Sequence, residues 1–136
     1  MKLSRTVSYA LQATLLLARE GTGAPVPCSR LAAQGKMPER FLLQILRNLV
    51  ARGILDSTRG VEGGYTLERS PEGISLLEVI EAIDGPLIAT LPCSEGLPAE
   101  SKSKLVGALS EVTELARQEL DSVKLADLLP RPARVR

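Results

Sequence analysis

Apolar residues recur every three or four positions from the start of the chain. Leu3, Val7, Leu11, Leu15 and Ala18 share one helical face, and Gly21 interrupts the run. This spacing predicts a helix over residues 3–19. After a loop at 21–27, a short helix is expected at 28–34 with Leu31 and Ala32 inward, then a tight turn at Gly35-Lys36. Pro38 suits the first turn of the next helix. That helix runs to about Arg52, with Phe41, Leu42, Ile45, Leu46 and Leu49 inward, and Gly53 ends it. The pattern then changes to two short strands, 54–58 and 65–68, around Arg59-Gly-Val-Glu-Gly-Gly64. Glycines at this density permit the positive φ of a protruding hairpin tip.

A turn at 70–73 leads to a well-marked helix start. Ser75 is the N-cap, Glu78 completes a capping box, and Ile74 and Val79 are placed as a hydrophobic staple. This helix reaches Asp84 and stops at Gly85-Pro86, before an irregular stretch over 86–98. A long helix is expected at 98–121. Its Leu105, Leu109, Val112, Ala116, Leu120 and Val123 follow in steps of four and three, the seam of a helix that packs on another helix. A short helix at 125–129 and a frayed tail at 130–136 complete the chain.

The expected class is mainly α with a small β-hairpin. It is a winged helix-turn-helix followed by a long C-terminal dimerisation helix. The expected division is a DNA-binding domain at 1–86, an effector-type loop at 87–97, and the dimerisation helix and tail at 98–136. Aromatics at 2% leave Leu, Ile, Val and Ala to build the core, which favours helices. The longest apolar stretch, within Ala10–Ala18, falls short of the roughly 20 residues a membrane span needs. The N-terminus lacks a signal-peptide cleavage pattern. A cytoplasmic protein with no membrane contact is expected, its Cys28 and Cys93 free thiols.

Charge adds an asymmetry that the net of +1 conceals. Residues 1–69 carry ten Lys/Arg against five Asp/Glu, and residues 70–136 carry seven against eleven. A basic N-terminal half suits a polyanion, although a solvated surface would look the same. The order of elements sharpens this. A helix of about 10–12 Å diameter fits the major groove of DNA. The outward face of the predicted second helix of the motif offers Glu39, Arg40, Gln44, Arg47 and Asn48. Arg, Gln and Asn can form bidentate contacts with base edges. At the hairpin tip, Arg59 lies beside glycines that let the backbone approach a phosphate or the minor groove. A protein-interaction module could use the same surface. An enzyme is not expected. The chain has no histidine, no nucleophile elbow and no phosphate-binding loop with its lysine.

The stretches 1–10, Val26-Pro27, 37–46, 53–67 and 74–85 together, above all Arg-Gly-x-x-Gly-Gly-Tyr at 59–65, resemble the BadM/Rrf-two family of bacterial winged-helix transcription regulators. That family includes iron–sulfur and nitric-oxide sensors of the IscR/NsrR kind. The resemblance implies a homodimer joined through the long C-terminal helix and bound to a double-stranded operator, with repression the expected sense of control. It implies Arg40, Gln44 and Arg47 in the major groove and Arg59 in or near the minor groove. Ser4, Arg5, Ser8 and Tyr9 would lie near phosphates. Glu62 departs from the neutral or basic residue usual at the wing tip, and a carboxylate there repels phosphate.

Cluster-binding relatives carry three cysteines in the loop before the long helix, because thiolates must converge on one cluster. Here that loop holds Cys93 alone. No iron–sulfur cluster of the usual kind and no metal site are expected, although two subunits could still share a cluster through Cys93. Cys93 is also the candidate redox sensor. Cys28 opens a helix, where the dipole favours a thiolate, but a small, partly buried structural residue is the simpler reading.

Overall fold

The computed structural model describes residues 1–130. Five helices run in order: α1 (Arg5–Glu20), α2 (Cys28–Gly35), α3 (Glu39–Ala51), α4 (Leu76–Asp84) and α5 (Ala99–Ser122). A hairpin of β1 (Leu55–Thr58) and β2 (Gly64–Leu67) lies between α3 and α4, antiparallel, with Leu55 opposite Leu67 and Thr58 opposite Gly64. Short 3₁₀ turns occupy Pro71–Gly73 and Leu125–Leu128. The tail expected to fray lies, beyond Pro130, outside the described residues.

Local signals explain most boundaries. Ser4 caps α1 by accepting a hydrogen bond from the Val7 N–H at 3.1 Å, and Gly21 ends the helix in the left-handed region. The capping box of α4 is complete: the Glu78 N–H donates to Ser75 Oγ at 3.1 Å, and the Ser75 N–H donates to the Glu78 carboxylate at 2.9 Å. Partial burial works to raise the Glu78 pKa. Hydrogen bonds from Arg69 and Ser75 outweigh that and hold the carboxyl below its usual value. At the turn between α2 and α3, the left-handed residue is Lys36 at φ 53° rather than its glycine neighbour. Gly35 serves a different purpose, since a Cβ there would lie 2.4 Å from the methyl of the buried Met37.

The core is formed by Leu31 of α2, Leu42, Ile45, Leu46 and Leu49 of α3, and residues packed on them from the other elements. Two expectations about faces need correction. On α1 the contact face keeps the expected Val7 and Ala18 but runs between them through Ala10, Ala13, Thr14 and Leu17; Leu11 and Leu15 are half-buried and Leu3 is exposed. Alanines let the backbones of neighbouring helices approach, so α1 presents mostly small residues and Leu17 to the centre and turns Leu11 and Leu15 to the flank. The buried Thr14 hydroxyl donates to the Leu11 carbonyl at 3.0 Å, which satisfies it in place. On α3, Phe41 points out and is 53% exposed. Four neighbouring aliphatic residues already fill the inner face.

Two pairings join distant segments. The stretch expected as a plain loop before α2 contributes Val26 as an isolated antiparallel bridge to the wing: Val26 and Tyr65 exchange N–H···O bonds of 3.0 and 2.9 Å. After α5 the chain returns to the start of α4. The Leu76 N–H donates to the Val123 carbonyl at 2.8 Å, and the Leu125 N–H donates to the Ile74 carbonyl at 3.0 Å. Leu125 is thereby fully buried in the same core as α2 and α3. On α5 itself no residue is buried. Ala116, Leu120 and Val123 of the expected seam are half-buried, whereas Leu105, Leu109 and Val112 are exposed, as is Leu115 beside them.

Candidate nucleic-acid interface

The periodicity that buries Leu42, Ile45, Leu46 and Leu49 leaves Arg40, Gln44, Arg47 and Asn48 on the solvent side of α3, and all four are exposed. Glu39 sits in the first turn, where a carboxylate favours the helix dipole. The start of α1 lies alongside. Tyr9 and Phe41 meet edge to face, with ring centroids 6.4 Å apart and planes at 77°. This contact fixes the first two turns of α1, with exposed Arg5 and Ser8, against the first turn of α3. Ser4 is exposed, but its oxygen already caps α1.

The wing is held from below. The Gly63 N–H donates to the Gly60 carbonyl at 3.0 Å, closing the tip. Gly60 adopts φ 110° in open space, and Arg59, Val61 and Glu62 are exposed there. A Cβ at Gly64 would lie 2.4 Å from the Val26 carbonyl carbon. Next to it, burial pushes the Tyr65 hydroxyl pKa up, the Cys28 thiol adds to this, and the Arg47 guanidinium opposes both.

The ion pairs sort the arginines into two sets. Arg30 pairs with Glu20, Arg69 with Glu78, and Arg117 with Glu81. Among the described residues Arg5, Arg19, Arg40, Arg47, Arg52 and Arg59 form no ion pair. Of these, Arg5 at the start of α1, Arg40 and Arg47 on α3 and Arg59 on the wing can neutralise phosphates without first breaking an internal bond.

The two cysteines lie apart from this pattern in different ways. Cys28, at the start of α2, is half-buried, and its Sγ donates to the Glu39 carbonyl at 3.7 Å. Burial first and the Glu39 carboxylate second push its thiol pKa up, so the helix-dipole expectation of a favoured thiolate is outweighed. Cys93 is exposed in the loop between α4 and α5 and adopts a left-handed φ of 58°. Among the described residues no cluster of three His, Cys, Asp or Glu side chains is placed to hold a metal ion. Sequence reasoning placed Phe41 in the core because it is apolar. The available signal was that the stripe from Leu42 to Leu49 is complete without it.

The profile of the Rrf2 family, described as iron-dependent transcriptional regulators, matches residues 3–131. A Mycobacterium tuberculosis protein whose name marks it as an HTH-type transcriptional regulator is 36% identical over 124 residues, covering 90% of this chain and 75% of its own. The regulator CymR of Bacillus subtilis is 27% identical over 94% of the chain and 89% of its own length. The solved structure of that CymR, titled the global cysteine regulator of its organism, superimposes with a TM-score of 0.76 at 26% identity, covering 94% of this chain and 95% of that one. IscR of T. potens superimposes with a TM-score of 0.72 at 29% identity, over 94% and 85%.

Proposed function

The chain belongs to the Rrf2 family of DNA-binding, winged-helix transcriptional regulators, and from that premise we propose that it acts in the cytoplasm as a homodimeric, sequence-specific repressor. The observation that carries the reading is the set of unpaired arginines on α1, α3 and the wing. In this reading α3 enters the major groove with Arg40, Gln44 and Arg47. Arg59 reaches the adjacent minor groove, and Arg5, with the hydroxyls of Ser4, Ser8 and Tyr9, borders the phosphates. Residues 1–86 form the DNA-binding unit, 87–97 the effector loop, and 98 onward the dimerisation element. The relatives are regulators rather than enzymes, and among the described residues no helix is long and apolar enough to cross a membrane.

The test is duplex binding against salt. Affinity should fall with log salt at a slope of about −0.9 per phosphate neutralised, and Arg59→Ala should cost about 1–3 kcal/mol of specific binding. A flat slope would mean that the surface docks a protein instead. Unchanged affinity in Arg59→Ala would remove the wing from the interface.

The family's iron dependence does not extend to this chain in its usual form. The donor set does not fit an iron–sulfur cluster: the whole chain has two cysteines and no histidine, and one of the two thiols is engaged inside the helix-turn-helix. The protein purified without exposure to oxygen should therefore be colourless. A visible charge-transfer band that disappears in Cys93→Ser would overturn this and point to a cluster shared between subunits.

A further inference from the structure

We propose that Phe41 reads a thymine methyl group in the major groove, beside the base pair addressed by Gln44. The inference rests on the DNA-binding reading and assigns a specificity contact within it. Phe41 is the single phenylalanine of the chain, and it is 53% exposed while the inner face of α3 is already filled by Leu42, Ile45, Leu46 and Leu49. An apolar ring held in water loses stability unless something covers it. Its orientation is set by the edge-to-face contact with Tyr9, so little freedom remains to be lost when a ligand arrives.

The position supplies the chemistry. Residues three and four apart on a helix are surface neighbours, so Phe41, Gln44 and Asn48 form one stripe along the outward flank of α3. A glutamine amide matches the N6 and N7 edge of adenine, and the apolar feature that distinguishes an A·T pair in the major groove is the thymine C5 methyl. An amide and an exposed ring one helical turn apart thus suit neighbouring A·T pairs. No carboxylate occupies the stripe itself, so nothing in it repels the backbone on either side.

The experiment begins with duplexes selected by the wild-type protein from a random-sequence pool. Each thymine of the selected site is then replaced singly by deoxyuridine, which removes the methyl and nothing else. Binding is measured for wild type, Phe41→Ala, Phe41→Leu and Gln44→Ala, with the circular dichroism melt and sedimentation of each variant recorded. For wild type, one deoxyuridine position per half-site should weaken binding about fourfold, the transfer value of one methyl group. Phe41→Ala should be indifferent at that position and unchanged in its response elsewhere. Phe41→Leu, still apolar, should keep part of the sensitivity, and Gln44→Ala should relax the neighbouring base pair instead. The proposal is overturned if no deoxyuridine position affects wild type. It is also overturned if Phe41→Ala, folded by its melt, retains every methyl response, or if it loses self-association, which would make the ring a contact between copies of the chain. If wild type enriches no sequence at all, the DNA-binding reading falls first, and that result is distinguishable from a selected site without methyl dependence.

Discussion

Replacing Leu109 and Val112 together with glutamate is expected to split the protein into monomers and to weaken operator binding by about 10²–10⁴-fold, the gain that linking two binding sites confers. The reason lies in α5. Its 24 residues include no buried one, and its length is about 36 Å at 1.5 Å per residue. Leu105, Leu109, Val112 and Leu115 are 40%, 37%, 64% and 66% exposed. Steps of four and three place the first three on one line, which in water is an apolar stripe with nothing against it. Two copies facing each other would cover these side chains and hold two α3 helices at a set spacing, as a two-fold operator requires. Carboxylates at both positions would oppose their own copies across the two-fold axis at desolvated sites. Because the protomer core does not use these side chains, the variant should keep its helical signal and its melting as a monomer. Sedimentation equilibrium and a gel shift read the outcome. A variant that remained dimeric would mean that the chains associate through another surface.

The second large effect is expected at a residue without a side chain. Gly64→Ala should destabilise the fold by about 2–4 kcal/mol, the sum of backbone strain and disturbed hydrogen bonds. The added Cβ would meet three backbone atoms: the Val26 carbonyl carbon at 2.4 Å, its oxygen at 2.5 Å and the Pro27 nitrogen at 2.7 Å. Backbone cannot rotate aside as a side chain does. Either the Val26–Tyr65 pair separates, losing its bonds of 3.0 and 2.9 Å, or β2 shifts and carries the wing with it. The φ of 153° adds to the cost. Gly60→Ala is the comparison. Its Cβ would meet nothing within 4 Å, so only the φ of 110° counts against it, and its penalty should be smaller. Urea denaturation of the two variants measures the difference. Equal stability of Gly64→Ala and wild type would mean that the wing does not sit on Val26 as closely as described.

The outward positions of α3 and the wing were readable from the chain. Arg40, Gln44, Arg47 and Arg59 could be placed because polar side chains at helical spacing, and arginine beside glycines, follow from local geometry. That Arg40, Arg47 and Arg59 stand without a carboxylate partner was not readable. Glu20, Glu78 and Glu81 engage Arg30, Arg69 and Arg117, and each of those pairs bridges different parts of the chain. Phe41 was misplaced for a related reason. An apolar residue next to an apolar stripe looks buried until the packing of α3 shows the stripe complete.

The sequence alone determined what a few neighbouring residues can decide among themselves. The Ser75–Glu78 capping box, the Gly21 end of α1, the glycines of the wing and the amphipathic α3 each depend on hydrogen bonds or backbone angles within about one turn. Tertiary structure decided the rest: that Ala10, Ala13 and Leu17 rather than Leu11 and Leu15 face the centre from α1, that Val26 pairs with the wing, that Met37 packs where only a glycine fits at position 35, and that Leu125 returns to close the core. Each of these depends on which surfaces meet, and close packing selects among faces that local periodicity leaves nearly equivalent.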